Sequence, residues 1–312
     1  MNPLFSRVLV TGCGGDIGLN ILRLLRENRW VETLYSSDLT DDHPGTLFAH
    51  HTTRLPRADD PAYLSALSDY CHQEGIELVI PTSEPELRHL TDAGLDTLGK
   101  TRLLMANHNA RFLGFDKLAT AETLRDARLG APRTESGAFP SFYPAILKPR
   151  FGAGAKNVQI VRTEEEARFF GQRLSDGIWQ ELLTPAREEY TCALYRIRSG
   201  ALRTLTLRRT LAGGVSKKGV VVRDEAIDAL LAHIATLLDL SGSINVQLIQ
   251  TPEGPKVFEI NPRFSSTVAL RHKMGFADLF WSLQEAAGED VAAYTPPPKG
   301  TRFYRVDQEV II

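Results

Sequence analysis

The sequence predicts a chain of mixed α/β and α+β class, and three observations carry that expectation. Short apolar runs alternate with amphipathic helical stretches through residues 1–105, the order that builds a parallel sheet with covering helices. From Phe115 onward the texture changes to strands joined by glycine- and proline-rich turns. Close to the end, Lys256-Val-Phe-Glu-Ile-Asn-Pro-Arg263 places a carboxylate, an amide and a guanidinium within five positions.

The first part reads strand by strand. Residues 7–11 are an apolar run entering Gly12-Cys-Gly-Gly-Asp-Ile-Gly18. Residues 19–29 follow as a helix whose apolar face is Ile21, Leu22, Leu24 and Leu25. A second strand at 33–37 ends at Asp38, residues 61–74 are helical in pattern, and a third strand at 76–81 runs into Thr82-Ser-Glu-Pro-Glu86. Ligands of open α/β sheets bind beyond the carboxyl ends of the strands. Glu84 and Glu86 therefore suit an amine or a sugar hydroxyl, and equally suit a plain surface loop.

The second part begins with a helix at 116–124 and a turn at 130–134. A strand at 143–149, the glycine-rich loop Arg150-Phe-Gly-Ala-Gly-Ala-Lys-Asn157 and a returning strand at 158–161 come next. No helix follows that loop, so it differs from a P-loop and fits a flap over phosphates. Strands are expected at 177–183, 190–197 and 203–210, then a second glycine loop at 212–219 and a helix at 225–238. Residues 243–250 and 256–260 form a hairpin around Pro252-Glu-Gly-Pro255. Pro296-Pro-Pro298 precedes a closing strand at 302–312, placed either inside the fold or across a homodimer.

Composition narrows the function classes. A formal charge of −2 offers no basic excess for nucleic acid or an anionic membrane. No apolar run approaches the roughly 20 residues of a membrane-spanning helix. The opening residues lack the pattern of a signal peptide, and the three cysteines (Cys13, Cys71, Cys192) are too widely spaced for a disulfide framework or a cysteine zinc site. The expected compartment is the cytoplasm.

The 256–263 segment points to metal and phosphate chemistry. Alternate side chains of a strand share a face, so Glu259, Asn261 and, where extended geometry continues past Pro262, Arg263 point one way. Phe258 and Ile260 then face a core. Hard cations such as Mg²⁺ take one or two carboxylates plus substrate phosphates, and an arginine fork matches phosphate or carboxylate oxygens. A competing reading starts from Gly12, Gly14 or Gly15, Gly18 and Asp38, which loosely follow a dinucleotide fingerprint and suit an NAD(P)-dependent oxidoreductase. The same glycine spacing also fits any tight strand-to-helix turn.

Taken in order, Ile146-Leu-Lys-Pro-Arg-Phe-Gly-Ala-Gly154, Trp179-Gln-Glu-Leu-Leu183 with Glu189-Tyr-Thr191, and Phe258-Glu-Ile-Asn-Pro-Arg263 resemble the ATP-grasp superfamily. The likeness is greatest to its carbamoyl-phosphate-synthase-like branch, in the form of a stand-alone carboxylate–amine ligase. It implies a Rossmann-like pre-ATP-grasp domain over residues 1–105 and an ATP-grasp fold of two subdomains clamping the nucleotide. The small subdomain, with its glycine-rich flap, would span 106–184, and the large one, with the metal site and carboxy-terminal strand, 185–312.

The same resemblance implies roles. Lys117 and Lys148 contact the nucleotide phosphates, and the flap glycines Gly152 and Gly154 close on them through backbone amides. Backbone groups of Glu181 and Leu183 read the adenine edge. Glu189, favoured over its neighbour Glu188, accepts the ribose hydroxyls. Gln247, Glu259 and Asn261 are the metal ligands, and Arg263, with Lys148, steadies the transferred phosphoryl group. Around Gly213 and Gly214, the basic loop Arg208 to Lys218 lies beside the acyl acceptor or is a solvated hairpin tip. The implied cofactors are ATP and Mg²⁺, with Mn²⁺ as a substitute, and the implied partners are a small-molecule carboxylate and an amine. The implied activity is ADP-forming ligation through an acyl phosphate. A nucleotide-binding module without catalysis is the third reading.

Overall fold

Consecutive apolar runs such as Val8-Leu9-Val10 and Leu78-Val79-Ile80 build one sheet buried on both faces, seen in a computed structural model that describes residues 2–152, 157–185 and 188–306. Its strands are β1 (Phe5–Thr11), β2 (Val31–Asp38), β3 (His51–Arg54), β4 (Leu78–Ile80), β5 (Thr97–Leu98) and β6 (Thr101–Leu103), in the order β3-β2-β1-β4-β6-β5. All neighbours are parallel except β5 and β6. Helices α1 (Asp16–Asn28), α2 (Tyr63–Glu74) and α3 (Glu84–Asp92) make the crossovers. The sequence does not announce β5 and β6, which are two and three residues long, or β3. His-Thr-Thr-Arg lacks apolar alternation because it lies at the sheet edge, without a core on either face. The segment after β4 is not a surface loop, since Glu84 and Glu86 stand in the first turn of α3 and Glu86 is buried.

Helices α4 (His108–Phe115) and α5 (Lys117–Asp126) lead into an antiparallel sheet of β7 (Thr134–Ser136), β8 (Ala145–Pro149), β9 (Gln159–Val161) and β10 (Gly177–Glu181), covered by α6 (Glu164–Gly171). Its order is β7-β10-β8-β9. The third sheet holds β11 (Glu189–Arg196), β12 (Leu202–Ala212), β13 (Val215–Val222), β14 (Gly242–Thr251), β15 (Gly254–Asn261) and β16 (Arg302–Tyr304). These run antiparallel in the order β15-β14-β11-β12-β13-β16, with α7 (Glu225–Leu237) against one face.

Two expectations change here. The 212–219 segment is not a loop. Ala212 pairs with Val215 across a two-residue turn, Gly213 and Gly214 both have positive φ (58° and 79°), and β13 follows directly. Positive φ at both central residues is the turn that matches the twist of a hairpin. The described part of the closing strand, β16, pairs within the chain against β13, while residues 307–312 lie outside the described residues.

Helices α8 (Val268–Lys273) and α9 (Asp278–Ala287) join the first and third sheets. Val268, Leu279 and Leu283 pack into one core with Val8, Ile21 and Leu22, whereas Phe276 and Trp281 pack into another with Tyr195 and Leu205. Between these cores lies a fully buried ion pair. Arg271 Nε donates to Asp278 Oδ1 at 2.9 Å, Ser243 Oγ donates to Asp278 Oδ2 at 2.5 Å, and Arg271 Nη1 reaches Ser265 Oγ at 3.1 Å. Removing one member of a buried pair leaves the other charge uncompensated. Asp278→Ala is expected to lower unfolding free energy by about 3–5 kcal/mol, read from urea denaturation. A loss below about 1 kcal/mol would place this pair among ordinary surface contacts.

Candidate functional site

Strand β8 (Ala-Ile-Leu-Lys-Pro) anchors Ala145 and Leu147 in the small core with Trp179, and the alternation of the strand turns Lys148 away from Leu147. The Lys148 side chain leaves that sheet and crosses to the third. It is 7% exposed, and its Nζ donates to Gln180 Oε1 at 2.8 Å and to the Phe258 carbonyl at 3.1 Å. Burial pushes its ammonium down to about 8, against an upward pull from Glu259 and a further downward push from Lys117.

The Phe258 carbonyl reaches Lys148 because β15 is bulged. Gln247 pairs with Glu259 but Leu248 pairs with Val257, so Phe258 is the extra residue. A bulge breaks the period-two alternation. The core residues are accordingly Val257 and Ile260, and Phe258 is not among them. Its ring instead lies 5.7 Å from Lys148 Nζ. The strand also stops at Asn261. Arg263 N donates to the Asn261 carbonyl at 2.8 Å, so Arg263 reaches the site by a turn around Pro262 and not by continued strand geometry.

Lys117 opens α5, whose N-cap Asp116 accepts from the Leu118 and Ala119 amides. Asp116 also receives Arg150 through Nε at 2.8 Å and Nη2 at 2.6 Å, which ties the cap to the start of the glycine-rich loop. The Lys117 ammonium is buried against that loop and donates to the Gly152 carbonyl. Asp116 was absent from the expected site; an aspartate directly before a helical run is an N-cap signal that marks the position. Gly154 lies outside the described residues.

The third sheet brings Gln247, Glu259 and Asn261 together. Gln247 stands opposite Glu259, and Asn261 Nδ2 donates to Glu259 Oε1 at 3.2 Å. One carboxylate and two amide oxygens are a hard-oxygen donor set that leaves positions for phosphate oxygens, which fits Mg²⁺. Among the described residues no cluster of three His, Cys, Asp or Glu side chains exists to hold a metal unaided. Arg263 Nη2 donates to Asn261 Oδ1 at 3.0 Å, and its Nε is buried without a partner among the described residues.

Glu189 and Gln247 share an arginine. Arg209 of β12 reaches Glu189 Oε1 through Nε at 3.0 Å and Nη2 at 2.6 Å, and Gln247 Oε1 through Nη2 at 2.5 Å. Glu188 is engaged elsewhere, accepting from the Tyr190 hydroxyl at 3.0 Å and from Arg208 at 3.4 Å. Glu181 turns its carboxylate to Lys256 (3.2 Å) and to the Arg133 amide (3.1 Å), and Leu183 is buried just past the end of β10. Within the basic loop, Arg209 meets Glu189 and Gln247 directly, and Lys218 stands opposite Tyr304 in the ladder.

The Gly12–Gly18 turn serves close packing. The Gly14 amide donates to Asp38 Oδ2 at 2.7 Å and the Leu39 amide to Asp38 Oδ1 at 2.7 Å, so the acid suited to a ribose is bound within its own turn. A side chain at Gly18 would meet the Gly12 carbonyl at 2.6 Å. The oxidoreductase reading is not favoured.

Residues 115–267 match the ATP-grasp domain family, and residues 8–99 match the PylC-like N-terminal domain. No curated protein matches the chain in sequence. Among solved structures, the ADP complex of PurK, an N5-carboxyaminoimidazole ribonucleotide synthetase, superposes with a TM-score of 0.75 at 16% identity, covering 95% of this chain and 80% of its own. Biotin carboxylase from Campylobacter jejuni, in complex with a β,γ-ATP compound, gives 0.72 at 13% identity over 93% and 73%. An L-amino acid ligase from Bacillus licheniformis gives 0.71 at 15% identity over 90% and 74%. Matched across both its parts and built on the same frame, the chain belongs to the ATP-grasp superfamily, with a PylC-like first domain.

Proposed function

We propose that the protein is an ADP-forming ligase that activates a small carboxylate as an acyl phosphate and joins it to an amine. One observation carries this reading. Lys148, from the second sheet, is hydrogen-bonded to the third sheet at Phe258, directly before Glu259, in a seam that also gathers Asn261 and Arg263. Phosphoryl transfer needs positioning and electrostatic stabilisation more than covalent help from the protein. A seam with two buried lysines, a half-buried arginine and oxygen donors supplies both.

In this reading ATP lies between the second and third sheets. Backbone groups at Glu181 and Leu183 meet the adenine, and Glu189 accepts the ribose hydroxyls. Lys117, Lys148 and the Gly152 amide hold the phosphates. Gln247, Glu259 and Asn261 would hold Mg²⁺, which supplies charge neutralisation between phosphate oxygens. A carboxylate oxygen of the donor bonds to the γ-phosphorus as the bond to the β,γ-bridging oxygen breaks, releasing ADP. The amine nitrogen then bonds to the acyl carbon as the carbon–oxygen bond to phosphate breaks, and the amine loses a proton. Arg263 steadies the transferred phosphoryl oxygens.

Incubation with MgATP, hydroxylamine and pooled carboxylates tests this reading, with ADP, AMP and hydroxamate followed together. ADP and hydroxamate are expected in the same pool, and Glu259→Gln is expected to abolish both. AMP with pyrophosphate would replace acyl phosphate chemistry with adenylation.

The state of Lys148 adds a pH dependence. Its folded-state value of about 8 lies below the ordinary 10.5, so between these values the unfolded chain binds more protons. This group's share of stability therefore rises with pH across that window and is flat below it. MgATP affinity moves oppositely, weakening above about pH 8 as the amine loses its charge. Lys148→Met is expected to weaken MgATP by roughly ten- to a hundredfold, the loss of a charge-assisted hydrogen bond, and to flatten the profile in calorimetric titrations. An unchanged profile in the variant would remove Lys148 from the phosphate site.

A further inference from the structure

Helix α3 of the first domain grips the root of the glycine-rich loop. The Gly152 amide donates to Glu84 Oε1 at 2.7 Å, while the carbonyl of the same residue accepts from the Lys117 ammonium. One helical turn beyond Glu84, the Arg88 guanidinium lies 4.1 Å from the centre of the Phe151 ring. Two consecutive loop residues are thus held by two side chains on one face of α3, 63 and 68 positions away in the chain. The contact is chemically specific. A carboxylate oxygen on a loop amide stands in the relation that a phosphate oxygen takes in a glycine-rich cradle.

We propose that Glu84 is a positioning residue that competes with nucleotide phosphate for the Gly152 amide. The proposal rests on the nucleotide site described above and adds to it a group from the first domain. One N–H cannot serve two anions fully, and a carboxylate within reach of a phosphate oxygen repels it. Bound phosphate therefore takes the amide and frees Glu84. The Lys117 ammonium has three donors, so it keeps the Gly152 carbonyl while it meets phosphate. Freed from the loop, Glu84 stands at the carboxyl end of the first sheet, near enough to Arg263 for its charge to bear on that guanidinium. A carboxylate there suits the cationic form of an amine. The consequence is an order of binding, with nucleotide before amine.

The test compares ADP, MgATP and adenosine binding to the full chain and to Glu84→Gln, by calorimetry with thermal melting as the folding control. Glutamine keeps the size and hydrogen-bonding reach but removes the charge. ADP and MgATP are expected to bind about three- to tenfold more tightly to the variant, with adenosine unchanged, because only the phosphates compete with Glu84. Glu84→Ala should act in the same direction, and Glu84→Asp should restore part of the competition. Equal changes for adenosine and ADP, or phosphate ligands unchanged or weakened in both variants, would overturn the proposal. Failure of the unmodified protein to bind any of the three ligands would instead remove the nucleotide site itself.

Discussion

Lys148 carries an ammonium into a seam where its two direct hydrogen-bond partners, a glutamine oxygen and a peptide carbonyl, are neutral. Desolvation disfavours such a charge, and neutral acceptors compensate only in part. Glu259 supplies the remaining attraction from the next residue along the strand. Both groups reach Lys148 because β15 is bulged at Phe258. The bulge holds because Val257 and Ile260, on either side of it, are locked into the core beneath α7. A position in one sheet is thus fixed by a deviation in another, and that deviation is fixed by a hydrophobic core with no ligand chemistry of its own.

The other groups of the site are likewise engaged within the protein. Arg209 covers Glu189 and Gln247, Arg263 leans on Asn261, and Lys117 holds the Gly152 carbonyl. Such pairing keeps each side chain in one rotamer and spares the fold a set of unpaired buried charges. On the proposed assignment a nucleotide would exchange partners and not simply add contacts. Its affinity would then be the difference between two nearly complete sets of hydrogen bonds, so changing a neighbour such as Arg209 would alter binding without touching a phosphate.

Legibility in the sequence followed the physics of each element. β1, β2 and β4 were readable because each is apolar and closes at a turn, whereas β3 is a short polar edge with no core to impose a pattern. The glycine pair at 213–214 was readable as a turn and 203–210 as a strand, but β13 opens with Val-Ser-Lys-Lys-Gly and so looked like loop. Glu259 and Asn261 stood out by residue type and order. Phe258 was misread because period-two reasoning cannot register an inserted residue, and a bulge leaves no composition signal. Contacts made by backbone atoms, such as the Phe258 carbonyl and the Gly152 amide, are beyond any reading of side chains.

The three sheets are not joined with equal strength. The first and third share cores through α8 and α9, and Arg305 adds a polar bolt from Asp16 in α1 (2.7 Å) to the Ser266 carbonyl. The second sheet has a small core of its own around Leu147 and Trp179. Among the described residues its links outward at the site are polar: Lys148 to Phe258, Glu181 to Lys256, Arg150 to Asp116 and Gly152 to Glu84. Apolar burial is non-directional and scales with area, so the first and third sheets form a frame that no small ligand can rearrange. Polar links are directional and can be exchanged one for one. The placement of the second sheet against that frame is therefore the quantity that a polyanionic ligand in the seam is able to set, and Glu84 is the point where the first domain takes part in setting it.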